Sequence, residues 1–400
     1  MTYLSIRAPT AIASAWAWGC STGRSAYTRF SRFRQPGGGM KTRARLSGWF
    51  RGGLLALLLL MSGGCGAFLG PDPANTPESN FEIFWESFDR HYAHFVHKDV
   101  DWDEVYLRYR PRVDAKTTDD ELLEVFGEMI RYLEDGHVYV SAGELGRVQS
   151  DLHLRGSRRN YDRNLISRRY IMGKEQSAGG GNFRYGWASH TLGYVHLATL
   201  SGAEGIGEDV HGWIEDLDEI LAYFKDAEGL VIDLRNNSGG RAFNTTFVAS
   251  RFATDTRDFV VTRTRNGARH DAFSSPTVWK VSPAGPRQFT KPVVVLTNRY
   301  SFSAAEWLTL ALRQYDHVTH MGTNSGGGLA MFLPRELPNG WHYTISVQET
   351  RDADGTFYER VGVPPHIHVE NTPDDVRQNR DAILEQALSH LRKQAGLAGH

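Results

Sequence analysis

Residues 291 to 328 read KPVVVLTNRYSFSAAEWLTLALRQYDHVTHMGTNSGGG. Pro292 opens a run of four apolar residues, Val293 to Leu296, which is too short for a helix and suits a strand buried on both faces. A helix follows almost at once. Ser303 to Tyr315 contains no Gly or Pro, carries Leu308, Leu310, Ala311 and Leu312, and has Glu306 in its first turn, where the macrodipole favours an acid. Ser303 therefore stands at a helix N-terminus, among amide N–H groups without intrahelical partners. Such donors stabilise an oxyanion, so the serine can be both nucleophile and neighbour of its own oxyanion hole. The plainer alternative is that Ser301 or Ser303 only caps the helix.

On either side of this stretch the pattern alternates between strands and helices. LGYVHL (192–197) and GLVIDL (229–234) are apolar runs of strand length. Between them Val210, Trp213, Ile214, Leu217, Ile220, Leu221 and Phe224 recur at helical spacing. The second strand ends in Arg235-Asn236-Asn237-Ser238-Gly239-Gly240, and a helix is expected from about Ala242 to Ala253. This order predicts an α/β fold with a parallel sheet covered by helices. Asn266-Gly267 and Asn339-Gly340 mark hairpins, VGVPPHIHVE (361–370) a late edge strand, and Asp381 to Leu391 a closing helix.

Upstream the signals are helical. Phe81, Phe84, Phe88, Tyr92 and Phe95 fall on one face. Thr118 with Glu121 forms a capping box ahead of Leu122, Val125, Phe126, Met129, Ile130 and Leu133. Gly136 ends that helix; His137 and the strand-like Val138-Tyr139-Val140 follow. Residues 146–185, rich in Arg, Ser and Gly, are expected to be an irregular connection. The expected division is therefore a leader over 1–65, a tether over 66–80, a helical segment over 81–145 carrying His137, the connection over 146–185, and an α/β part over 186–400.

The 400 residues are 40% hydrophobic and 12% aromatic, enough for a sizeable core. The first 65 hold nine Lys or Arg and no acid, so with a net charge of −1 overall the remainder carries −10. That balance argues against nucleic acid as a partner of the mature protein. From Met40, the basic residues Lys41, Arg43, Arg45 and Arg51, the apolar run Leu54 to Met61 and the small residues before Cys65 form an export signal. The apolar run falls short of the roughly 20 residues that span a bilayer. The small residues resemble a bacterial lipoprotein processing box, which implies lipidation at Cys65, a membrane anchor and a periplasmic or secreted location. The other cysteine, Cys20, lies in the leader, so no intramolecular disulfide is expected.

In open α/β sheets ligands bind beyond the carboxyl ends of the strands, and two strands here end in suitable chemistry. If the 237–240 turn and Ser303 are neighbours, a Gly239 or Gly240 N–H plus the Ala304 N–H would make a two-donor oxyanion hole for acyl transfer. His366 and His368 alternate on a strand without an acidic or cysteine companion, so no metal and no cofactor are assigned.

DLRNNSGG, the strand running into Ser-Phe-Ser-Ala-Ala-Glu, Gly322-Thr-Asn-Ser and Glu359-Arg-Val-Gly-Val-Pro-Pro together resemble, in order, the carboxy-terminal-processing and tricorn-type serine peptidases. The likeness begins near Phe81 and includes Leu133-Glu-Asp-Gly-His137. It implies a crotonase-like α/β core with a small N-terminal helical cap, Ser303 as nucleophile, and the Gly239 and Ala304 amides as oxyanion donors. Carboxy-terminal-processing members use a lysine base in a Gly-Lys-Gly segment, where this chain has Gly326-Gly327-Gly328, and their peptide-binding PDZ module is missing. The tricorn-like branch uses a histidine in a Leu-x-Asp-x-His segment, which implies His137 as base with Glu359 as its supporting carboxylate. A tricorn serine stands where this chain has Gly136.

Histidine titrates near working pH, so His137 can take the serine proton and return it to a leaving group. Glu306 is either a dipole partner or a contact for the substrate's terminal amine. The resulting expectation is an exported serine peptidase acting on peptides or proteins. The alternatives are a peptidase-fold protein that binds an apolar ligand or peptide without catalysis, and, on fold analogy alone, a crotonase-type acyl-CoA enzyme.

Overall fold

The computed structural model describes residues 73–151, 161–201 and 212–396. The basic leader, Cys20, Cys65 and Val210 lie outside the described residues. Among the described residues no helix is long and apolar enough to cross a membrane.

α1 (Pro77–His91) starts where Pro77 takes a first-turn position and the Thr76 hydroxyl accepts from the Ser79 N–H. α2 (Trp102–Tyr109) is capped by Asp101, and α3 (Asp119–Arg131) by the reciprocal Thr118–Glu121 box. After Gly136 come β1 (Tyr139–Ser141), β2 (Arg147–Gln149), α4 (Arg163–Arg169), β3 (Gln176–Ala178) and β4 (Phe183–Trp187). The predicted alternation follows with β5 (Leu192–Leu197), α5 (Gly212–Tyr223), β6 (Gly229–Asp233) and α6 (Ala242–Ser250). β7 (Arg257–Thr264) and β8 (Thr277–Val281) precede β9 (Val293–Thr297), α7 (Ala304–Leu312) and β10 (Val318–Gly322). The chain then forms β11 (Phe332–Glu336), β12 (His342–Ser346), β13 (Gln348–Asp352), β14 (Ile367–His368), α8 (Pro373–Arg377) and α9 (Ala382–Gln394).

The main sheet has seven strands in the order β14-β10-β9-β6-β5-β4-β3. β5, β6, β9, β10 and β14 run parallel, while β4 and β3 extend one edge in antiparallel pairing. Side chains alternate across this sheet. Leu230, Val293 and Val295 pack under α5, α6 and α7, whereas Val231, Val294 and Leu296 meet Ile383, Leu384, Ala387 and Leu391 of α9. Both faces are covered, which is why these strands read as unbroken apolar runs. The carboxyl ends of β6 and β9 lie side by side, with Asp233 opposite Leu296.

The end of β6 is locked to α9 by a buried ionic group. Arg235 binds Asp233 at 2.6 Å and the helix-capping Asp381 at 2.9 Å, with all three side chains at most 1% exposed. Tyr194 Oη donates to Asp233 and Asn371 Nδ2 to Asp381, so the carboxylates are further satisfied.

Two expectations need correction. Residues 146–185 are not an irregular connection: they supply β2, α4, β3 and the first strand-forming residues of β4. Nor is the cap over 81–145 helical throughout, since it contributes β1 to a sheet. Phe84, Phe88, Phe126 and Ile130 share one core with Trp341, Tyr343 and Ile345, because β12 pairs with β1 in a second sheet ordered β11-β12-β1-β2. Pairing Val140 with Tyr343 ties the His137 segment to the C-terminal third. A third sheet, β13-β7-β8, carries the expected antiparallel excursion.

Candidate active site

β9 delivers the serine. After Thr297 a turn is fixed by Asn298 N–H to Ser301 Oγ at 2.9 Å, and Ser301 Oγ donates in turn to Leu234 O at 2.8 Å. Ser301 thus ties the ends of β9 and β6 together. Ser303 itself sits at φ 58°, ψ −123°, a region that costs a residue with a Cβ about 1–3 kcal/mol and that clusters at functional sites. Its backbone N–H donates to Glu306 Oε2 at 2.9 Å, which holds the strained residue in place.

Glu306 is not available to a substrate amine, which corrects that alternative. Its side chain is fully buried. Oε1 accepts from Ser325 Oγ and Gly327 N–H, and Oε2 from Gly328 N–H as well as Ser303 N–H. Burial raises its pKa while these donors pull it back. It clamps the 325–328 loop against the nucleophile. Glu306→Gln should destabilise the protein by about 2 kcal/mol in urea unfolding, because an amide has one acceptor oxygen and its NH2 would face donors.

The predicted neighbourhood of the two strand ends is present. A Cβ added to Gly239 would lie 2.6 Å from Ser303 Cβ and 2.8 Å from Ala304 N, and Gly239 has φ +95°. Only glycine permits this approach. Its role as an oxyanion donor needs correction, however, since the Gly239 N–H already donates to Asn237 Oδ1 at 2.8 Å. The Gly240 and Ala304 N–H groups have no acceptor among the described residues, and these two are the free donors beside Ser303.

His137 reaches the same cleft. A cavity of about 320 Å³ is lined by His137, Ser303, Ser238, Gly240, Tyr139 and Arg147. The imidazole packs against the rings of Phe302 and Phe332, with centroids 4.7 and 5.1 Å away. Its backbone is fixed by His137 N–H to Asp135 Oδ1 and by Thr344 Oγ1 to His137 O. Nδ1 is buried without a partner, which leaves Nε2 as the nitrogen facing the cleft. No hydrogen bond joins His137 to Ser303; catalytic contacts commonly tighten only when substrate binds.

Burial pushes the His137 pKa down to about 4, outweighing the attraction of Asp135. The ring is therefore neutral, and a competent base, at every pH above that value. The acid limb of kcat/KM against pH should fall near pH 4 to 5, well below the ordinary histidine value, and a limb centred near 6.5 would contradict the burial.

Phe302 explains one departure from the family pattern, the glycine at 136. Cβ atoms added at Gly136, Gly326 and Gly328 would lie 2.7, 2.4 and 2.1 Å from its ring. The phenyl group fills the space where a serine at 136 would stand, and it presses on His137.

Glu359 makes no hydrogen bond to His137. Its Oε2 accepts from Leu329 and Ala330 N–H at 2.9 and 3.2 Å, while Oε1 is buried and unpaired. It clusters instead with His94 and Asp135, whose donor atoms all lie within 4.8 Å of one another. Burial, with Asp135 and Glu306 nearby, raises Glu359 to about 8. Burial opposes ionisation of Asp135 too, but His94 at 3.4 Å and its charge hold that carboxyl well below its usual range. Burial would lower His94, yet the Glu359 and Asp135 carboxylates leave it raised. Asp135 is thus the anionic member of the group.

Among the described residues this is the one group whose His and acidic donors converge as metal ligands do, though Asp135 already accepts from Tyr92 Oη and His137 N–H. His366 Nδ1 accepts from His320 N–H and His368 is exposed, so that pair does not form a site. Sequence reasoning missed His94 and Asp135. The Asp in the Leu-x-Asp-x-His segment was a signal for the second; an aromatic-rich helix end offered none for the first.

Residues 191–369 match the family model described as Peptidase family S41, and residues 73–131 that of the Tricorn protease C1 domain. The carboxy-terminal processing protease CtpB of Bacillus subtilis is 28% identical over 185 residues, covering 46% of this chain and 35% of that protein. The putative tricorn-like protease C-terminal subunit of Sulfurisphaera tokodaii is 26% identical over 205 residues, covering 51% of this chain and 21% of that protein. The chain thus spans about a third or less of the length of these curated relatives. The crystal structure of a putative peptidase from Parabacteroides merdae is similar with a TM-score of 0.71 at 31% identity, covering 80% of this chain and 97% of that one. Mature CPAF, at 13% identity and a TM-score of 0.60, shares the fold, with 81% and 98% covered.

Proposed function

We propose that this chain, which belongs to peptidase family S41, hydrolyses peptide bonds in peptide or protein substrates with Ser303 as nucleophile and His137 as base. Ser303 Oγ attacks the carbonyl carbon while His137 Nε2 takes its proton. The oxyanion is received by the Gly240 and Ala304 N–H groups, preorganised by the glycine turn and by the start of α7. His137 then donates the proton to the departing amine, and water repeats the sequence on the acyl-enzyme.

Glu359 acts at one remove. It holds Leu329 and Ala330, and so the segment leading to Phe332, whose ring packs at a tilt against the imidazole. Asp135 fixes the backbone of His137 directly. The observation that carries this reading is the cleft where a strained serine and a buried imidazole meet, with two unpaired amides beside the serine.

A fluorophosphonate probe should label the wild-type protein and leave Ser303→Ala unlabelled. A wild type that never labels, yet binds a peptide, would instead support the non-catalytic alternative.

The sequence before the described residues supports export with lipidation at Cys65. Cys65→Ser should then move the protein from the membrane fraction to the soluble one. Retention at the membrane would exclude the lipid as its anchor.

A further inference from the structure

Beside the His137 cleft lies a second cavity, of about 340 Å³, which includes Ser303 and Gly240 but not His137. Its lining includes Ala242, Phe243, Trp279, Trp307 and Met331. Trp279 packs edge-on against Trp307 at 5.0 Å and against Phe243 at 5.6 Å. Trp307 is buried and its Nε1–H is already given to Leu329 O, so the indole offers the cavity an apolar surface. Arg241 is the charged residue in the lining, and no acid is present there.

The two cavities must receive opposite halves of a substrate. The departing amine takes its proton from His137, so it occupies the cleft that contains the imidazole. The carbonyl oxygen sits at the Gly240 and Ala304 amides, beside Ser303, which lines both cavities. The residue that donates the scissile carbonyl must then project its side chain away from His137, into the aromatic cavity.

Resting on the hydrolase reading above, we infer that this cavity selects the residue on the acyl side of the scissile bond and accepts large apolar side chains, aromatic ones first. A phenyl ring would be removed from water and gain edge-to-face contact with the two indoles. A lysine would meet Arg241, and an aspartate would lose its hydration without a full set of donors. A methyl group would leave most of the cavity unfilled.

The test is a set of internally quenched peptides identical except at that position, carrying Phe, Leu, Ala, Lys or Asp, with cleavage sites mapped by mass spectrometry. We expect kcat/KM for Phe about 100-fold above Ala, and no detectable cleavage after Lys or Asp. Ala242→Asp places an acid in the wall at the first position of α6, where the helix N-terminus tolerates it. Cleavage after Lys should become measurable, with the Lys-to-Phe ratio rising at least about tenfold.

Phe243→Ala is a second variant, at a side chain 67% exposed whose loss does not open the core. It should lower the Phe-to-Ala ratio about tenfold. Equal cleavage after Phe and Ala by wild-type protein, or ratios unmoved in both variants while fluorophosphonate still labels them, overturns the inference and leaves the hydrolase reading standing. Absence of labelling in the wild type removes both.

Discussion

Alanine at Ser303 and alanine at His137 should each lower kcat/KM on a quenched peptide by about 10⁴-fold or more, and the double variant should be no slower than the worse single one. The reason is that the hydroxyl and the imidazole are useful only together. Without the ring nothing takes the serine proton, and without the serine the ring has nothing to activate. Residual turnover would come from the Gly240 and Ala304 amides, which both variants retain. A single variant within tenfold of wild type would take that residue out of the mechanism, and losses that multiply in the double variant would show that the two act separately.

Arg235→Ala should destabilise the protein by about 3–5 kcal/mol, the range expected when a buried charge loses its partner. Two carboxylates, Asp233 and Asp381, face Arg235 from β6 and the start of α9. Their own second partners, Tyr194 Oη and Asn371 Nδ2, are neutral donors and cannot replace a guanidinium. Because Arg235 opens the turn to Gly240, the same change should also reduce turnover in whatever fraction stays folded. Urea unfolding of wild type and variant measures the first effect, and a shift below about 1 kcal/mol would mean that the group relaxes at little cost.

What could be read from the amino acids followed the range of the forces involved. β5, β6 and β9 were legible because strands covered on both sides demand consecutive apolar residues. The Thr118 box was legible because a cap is a contact between near neighbours in sequence. The resemblance gave Ser303 and His137, and the fold brings them to one cleft. β3 was missed because an edge strand of three residues, next to three glycines, has no apolar alternation to show. The participation of β12 in the helical core was missed because pairing between Val140 and Tyr343 leaves no local trace. Glu306 could not be placed until the 325–328 loop was seen to return upon it. The capture of the Gly239 amide by Asn237 was legible and overlooked, since an asparagine two residues before a glycine commonly binds its own backbone.

The packing around Gly327 bears on how this branch and its lysine-using cousins could interconvert. Reinstating the ammonium base takes more than one codon. Position 327 adopts φ +81° with the Arg360 backbone 2.6 Å from any added carbon, so a lysine there meets a wall before it meets the serine. That wall is main chain, at Arg360 and Gly362, so trimming the neighbouring Phe302 ring would not open it and would take from the imidazole one of the two rings beside it. A return to lysine therefore requires the backbone at 360 and 362 to move as well, which ties the choice of base to the path of a loop distant in sequence.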